Sequence, residues 1–171
     1  MESAEVNYYM KNRGIIVSNL FSFLCGSILG GALMFTYADK VCNQIDMKAD
    51  KAERYRAILT QWLMLKNRNV SFDKYFIEKG YFSIAIYGYS DLGRRLEEEL
   101  EQYANINVKY FIDKNARHIC ETRKIYEVQK NLPAVDVIVV TPICEYSEIA
   151  VQLKNIIPYH IISIEDVIYN V

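Results

Sequence analysis

Gly88, Ser90 and Gly93 fall at the spacing G-x-G-x-x-G, with Ser in the second glycine slot, directly after the apolar run Ile84-Ala-Ile-Tyr87. A strand, a tight turn and a helix start are what that pattern encodes. The first glycine allows the turn and the last allows close helix–strand packing. The helix N-terminus then turns unsatisfied N–H groups toward an anion, in the manner of a phosphate site. About 20 residues further on, an acid is needed to hold a ribose hydroxyl. Asp113 stands there, after the run Val108-Lys-Tyr-Phe-Ile112. The candidate ligand-binding residues are therefore Gly88, Tyr89, Ser90, Asp91, Leu92, Gly93 and Asp113. The middle glycine normally lets the backbone approach a pyrophosphate. At that position the Ser90 side chain either crowds a dinucleotide or bonds a phosphate through its hydroxyl.

Other chemistry finds less support. Tyr87, Tyr89 and Tyr146 are conceivable acid/base groups, but no Tyr-x-x-x-Lys pair accompanies them: Tyr103 is followed by Asn107 and Tyr146 by Ala150. Glu97, Glu98, Glu99 and Glu101 form a carboxylate run, and successive helical positions point in different directions, so it reads as a solvated face. Cys144 is a thiol near a strand end with no histidine placed to activate it. Arg94 and Arg95 follow the turn and read as solvated helix residues within reach of an anion. With His118 and His160 as the only histidines, and cysteines at 25, 42, 120 and 144 lacking any CxxC, no metal centre is expected. No catalytic residue is assigned.

The elements that position the turn alternate between strand and helix. Strands are expected at 82–87, 107–112, near 124–126, at 135–141 and at 160–163. Helices are expected at 91–103 and 145–155, with a last helical turn from Ile164. This is the pattern of an α/β fold with a small parallel sheet. Val135-Asp-Val-Ile-Val-Val140 is apolar apart from Asp136, as expected of a strand covered on both faces. A short helix precedes the sheet, with Ser71 as its N-cap and Gly80 as its C′ residue. Residues 69–171 thus read as a Rossmann-like nucleotide-binding domain, little more than one mononucleotide-binding half. A dinucleotide lies across two halves, so a mononucleotide or nucleotide-sugar suits the domain better than NAD.

The chain before it differs in kind. Residues 15–37 carry no charge over 23 positions. As a helix they extend about 34 Å, enough for a hydrocarbon core of about 30 Å. Residues 1–38 are therefore read as an N-terminal tail and transmembrane anchor. A signal peptide and a buried core helix are the alternatives. Lys11 and Arg13 precede the run, and Lys40, Lys48, Lys51, Arg54 and Arg56 follow it. Positive-inside bias places the C-terminal domain in the cytoplasm, behind a single pass through the inner membrane. Ser22, Gly26 and Gly30 give a GxxxG stripe suited to a helix homodimer. Residues 39–68 read as an amphipathic helical stalk with the seam Val41, Ile45, Ala49, Ala52, Tyr55, Leu59 and Leu63. That seam is free to pair with a second copy or to pack back on the domain. The net charge of −1 provides no basic surface for nucleic acid.

Ile-Tyr-Gly-Tyr-Ser-Asp-Leu-Gly at 86–93, Tyr-Phe-Ile-Asp-Lys at 110–114, Val-Ile-Val-Val-Thr at 137–141 and Ile-Ser-Ile-Glu-Asp at 162–166 give residues 84–168 a resemblance to small Rossmann-like domains of bacterial surface-polysaccharide proteins. They resemble in particular the nucleotide-sugar-binding N-terminal domain of sugar O-acyltransferases. Redox-sensing repressors and CoA-binding domains share the first two motifs. The resemblance implies a phosphate on Gly88, Ser90, Asp91 and Gly93, with the ribose or base on Asp113. It also implies that Thr141 lines the crevice at its strand end. The acyltransferases' left-handed helix of hexapeptide repeats has no counterpart in this chain, so binding carries over and acyl transfer does not. The expected function is nucleotide or nucleotide-sugar binding at the membrane in surface-polysaccharide assembly, alongside the proteins of that assembly. The alternatives are a scaffold with a vestigial site and an NAD-dependent oxidoreductase-like protein.

Overall fold

The computed structural model describes residues 2–119 and 122–171, and for 2–33 only their place in the first helix. That helix, α1, is Glu2–Asn67. Most of the uncharged run 15–37, including the Ser22, Gly26 and Gly30 stripe, therefore lies outside the residues whose side chains are described. Among the described residues no helix is long and apolar enough to cross a membrane. The chain divides into two compact units, one ending at Asp50 and one spanning Lys51–Val171. In the first unit, Met34, Phe35, Tyr37, Ile45 and Met47 are exposed.

The second unit is a three-layer α/β domain. Its elements are the end of α1, α2 (Asp73–Lys79), β1 (Ser83–Tyr87), α3 (Asp91–Leu100), β2 (Asn107–Ile112), a 3₁₀ turn (Ala116–His118), β3 (Ile125–Tyr126), β4 (Val137–Val140), α4 (Tyr146–Lys154), β5 (His160–Ser163) and α5 (Ile164–Tyr169). The five strands form one sheet in the order β3-β2-β1-β4-β5. Every pairing is parallel. Side chains alternate across the strands. Ile84, Ile86, Phe111, Val137 and Val139 pack on one face with residues of α1, α2, α3 and α5. Ala85, Tyr87, Tyr110, Ile112, Ile138 and Val140 pack on the other with Leu153 of α4 and with Leu132, Val135 and Ile157.

The expected stalk is in part core. Ile58, Trp62 and Leu65 of α1 are buried, whereas Leu59 and Leu63 of the expected seam are 52% and 61% exposed. Two apolar stripes of helical period run side by side here, and periodicity cannot say which one meets a sheet. The deciding contact comes from the chain reversal after α1. Asn69 adopts a left-handed φ of 53°, a conformation Asn tolerates, and Val70 N–H closes back on the Leu65 carbonyl. Phe72 is thereby returned onto Trp62, with ring centroids 5.5 Å apart. Burying each such side chain is worth about 1.5–3 kcal/mol.

Gly80 caps α2 in the left-handed region, with Gly80 N–H on Ile77 and Tyr81 N–H on Phe76. This is the Schellman arrangement. Ser71 is not the N-cap of α2: the helix begins at Asp73, and the Ser71 hydroxyl donates to the Asp73 carboxylate. Asp136 interrupts its apolar run for a structural reason. Its carboxylate accepts from the N–H groups of Phe82 (2.9 Å) and Ser83 (2.7 Å) and from the Ser83 hydroxyl (2.9 Å), tying the start of β1 to β4. Those backbone donors, Ser83 first, hold its pKa below the usual aspartate value.

Candidate functional site

β1 lies between β2 and β4, so the chain leaves it toward β2 and later returns on its other side. The sheet order therefore reverses between β1 and β4. In open α/β sheets, ligands bind outside the carboxyl ends of the strands at such a switch point. A cleft of about 440 Å³ is found there. Gly88 and Ser90 line it after β1, Asp113, Lys114 and Asn115 after β2, Pro142 and Glu145 after β4, and Glu148, Ile149 and Gln152 from α4. Tyr87 contributes from β1, and Lys51 and Tyr55 of α1 close one side.

The turn is built as its glycines require. Gly88 has φ +102°, and a Cβ there would meet Thr141 Oγ1 at 2.7 Å and Pro142 Cδ at 3.1 Å. A Cβ on Gly93 would fall 2.2 Å from the Gly88 carbonyl oxygen. Ser90, at φ −107°, needs no glycine freedom and serves as the N-cap of α3. Its hydroxyl accepts from Gly93 N–H at 3.4 Å. A helix leaves its first N–H groups without an intrahelical partner. With Gly93 N–H taken by the cap, those of Asp91 and Leu92 are left for a ligand or water.

Asp113 is also used internally. Oδ2 accepts from Tyr89 N–H at 2.9 Å and Oδ1 from Asn115 N–H at 2.8 Å. The carboxylate thus pins the β1 turn to the end of β2. Each oxygen retains a second lone pair, and the residue still faces the cleft. Thr141 does not line it. The residue is 1% exposed, and its hydroxyl donates to the Tyr87 carbonyl at 3.0 Å. Pro142, one residue on, takes the cleft position. Tyr89 stacks edge-on against Phe111 with centroids 4.9 Å apart, under the Arg94 guanidinium. Leu92 and Gly93 are buried. Asp91 is ion-paired with Arg94 on the outer face of α3. Of the eight residues expected at the site, Gly88, Ser90 and Asp113 line the cleft, Asp91 and Leu92 line a neighbouring pocket that shares Ser90 and Tyr55 with it, and Tyr89, Gly93 and Thr141 support the turn, the helix start or the core.

The cleft's charge comes largely from residues without a sequence signal. Lys51 Nζ lies 2.5 Å from Glu145 Oε1 across 94 positions. The pair is about half exposed on both sides, so it contributes only about 0–1 kcal/mol. Glu145 raises the Lys51 pKa, and Lys51, with a smaller effect from the charge of Lys114, lowers that of Glu145. Glu145 Oε2 is buried with no hydrogen-bond partner among the described residues. Burial pushes the Tyr55 and Tyr87 phenols up. Of these residues, Lys51 is expected only as a basic flank of the anchor, Tyr55 only in the stalk seam and Tyr87 only as a conceivable acid/base group, and Glu145 and Lys114 have no expected role.

The carboxylate run on α3 is not wholly solvated. Glu97 and Glu99 are 7% and 5% exposed. Glu97 pairs with Arg123 at 3.3 Å, while Glu99 pairs with Lys66 at 2.8 Å and accepts from the Tyr103 hydroxyl at 3.1 Å. Separate partners hold the two acids, so they form no dyad. Among the described residues no group of three or more His, Cys, Asp or Glu side chains could hold a metal ion.

No protein-family model matches this chain, nor does any curated protein or solved structure. The likeness to nucleotide-sugar-binding domains rests on the motifs alone.

Proposed function

We propose that this chain is a membrane-anchored module whose Lys51–Val171 unit binds a nucleotide or nucleotide-sugar in the cleft between β1 and β4. The observation that carries the reading is the Gly88–Gly93 turn opening α3 at the switch point, with Asp113 across from it. A phosphate sits on the first N–H groups of α3 and a ribose hydroxyl donates to Asp113. The five-stranded sheet stops short of a full dinucleotide fold, which favours a nucleotide-sugar over NAD. The uncharged run 15–37 and its basic flanks support the anchor, with the domain on the cytoplasmic side of the inner membrane. Surface-polysaccharide assembly is the setting suggested by the acyltransferase likeness. The Gly26–Gly30 stripe supports a homodimer.

A second reading, a scaffold with a vestigial site, draws on one observation. The Ser90 hydroxyl and the Asp113 carboxylate both accept N–H groups of the chain itself. Thermal unfolding of the full chain in detergent, with UMP, UDP, UDP-glucose, NAD and CoA in turn, separates the readings. A ligand at 100 times its Kd adds about 2.7 kcal/mol, several degrees for a unit of this size. A shift with UDP-glucose supports the binder and a shift with NAD alone supports the oxidoreductase-like alternative. No shift with any of them leaves the scaffold.

A further inference from the structure

We infer that Lys51 is a phosphate contact held in reserve by Glu145, and that an incoming phosphorylated ligand takes Lys51 over and opens the pair. The inference rests on the nucleotide-binding reading and deepens it, by assigning to α1 a direct contact with the bound phosphate.

Both partners line the same cleft as Gly88 and Ser90. Their pairing is short, at 2.5 Å, but about half exposed, so water screens it and little is lost when it opens. Glu145 is only half satisfied: Oε1 meets Lys51 and the buried Oε2 meets nothing among the described residues. A buried acceptor without a partner is rare enough to need a reason. A ligand carrying both phosphate and hydroxyls answers both needs. Its phosphate takes Lys51, and a sugar hydroxyl donates to Glu145. Lys114 makes no ion pair or hydrogen bond among the described residues and offers the cleft a second cation. Glu148 and Gln152 add acceptors along the same wall. The ligand class this chemistry recognises is a phosphate joined to a polyol, anionic at one end and rich in hydroxyl donors at the other.

Calorimetric titration of the full chain in detergent tests the exchange, with UDP-glucose and UDP as probes and uridine as the phosphate-free control. Glu145→Gln removes the competitor for Lys51 and should tighten UDP up to about fivefold, the most an ion pair this exposed is worth. Lys51→Met should weaken UDP and UDP-glucose about tenfold and leave uridine unchanged. In the Lys51→Met background, Glu145→Gln should no longer tighten UDP, because the two residues act as one unit. If Glu145→Gln tightens UDP equally in both backgrounds, the effect is general charge and the exchange is overturned. Native binding of UDP with both single variants unaltered overturns the exchange alone. Failure of every probe to bind the native chain, with Trp62 emission showing it folded, overturns the cleft reading and the exchange together.

Discussion

Gly93→Ala opposes two physical effects of known size. Gly93 lies in the first turn of α3, and helix propensity alone makes Ala the better residue by about 1 kcal/mol. The new methyl carbon, however, would lie 2.2 Å from the Gly88 carbonyl oxygen. That atom belongs to backbone, so no side-chain rotation relieves the overlap. The end of β1 and the start of α3 must part by most of an ångström, in a site where Ile86 Cγ2 is already 3.4 Å away. Overpacking of this kind costs about 1–3 kcal/mol, and a rigid obstacle puts it at the upper end. The net loss is about 2 kcal/mol, or roughly 8 °C in Tm for a unit of about 120 residues. Gly80→Ala is the control. Its φ is +73° with nothing within 4 Å of the added carbon, so it costs only the left-handed backbone, about 1 kcal/mol and roughly 4 °C. Trp62 is the single tryptophan, buried against Phe72, so its emission follows unfolding in the full chain. A Gly93→Ala chain that melts at or above the native temperature would refute the close approach of turn and helix, and the phosphate cradle with it.

Three further outcomes follow from the described contacts. Ile58→Ala should lose about 2–4 kcal/mol as a cavity in the core, while Leu59→Ala should change stability by less than about 0.5 kcal/mol; equal losses in urea unfolding would mean the other face of α1 meets the sheet. Thr141→Val should cost about 1 kcal/mol through its bond to the Tyr87 carbonyl and leave UDP-glucose affinity unchanged, since the hydroxyl is buried; a loss of affinity with unchanged stability would return Thr141 to the cleft. Burial raises the Glu97 pKa above the usual 4.5, with Arg123 opposing. Its contribution to stability is full below the unfolded value and falls as pH rises through the folded one. Glu97→Gln should therefore gain on the native chain as pH rises from 4 to 7, and a gain that shrinks over that interval contradicts the sign.

Local sequence determined the strands, the helices that alternate with them and the turn between β1 and α3. Apolar runs bounded by Gly80 and Gly88 in one case and by Pro133 and Pro142 in the other leave few other ways to bury Ile84 to Tyr87 and Val137 to Val140. Two departures from the expected pattern have causes in the fold: Ser90 fills a glycine slot because it caps α3, and Asp136 interrupts an apolar run because it receives the start of β1. Tertiary structure decided what periodicity leaves degenerate. Either apolar stripe of α1 is a valid helical face, and Ile58, Trp62 and Leu65 became core because the Asn69 reversal brings Phe72 back onto Trp62. Only folding could turn Thr141 inward and leave Pro142 at the cleft, since that depends on how the end of β4 meets the Tyr87 carbonyl. The meeting of Lys51 and Glu145 is still less local: 94 residues separate them, and their pairing depends on where the last turns of α1 lie over the carboxyl ends of the strands.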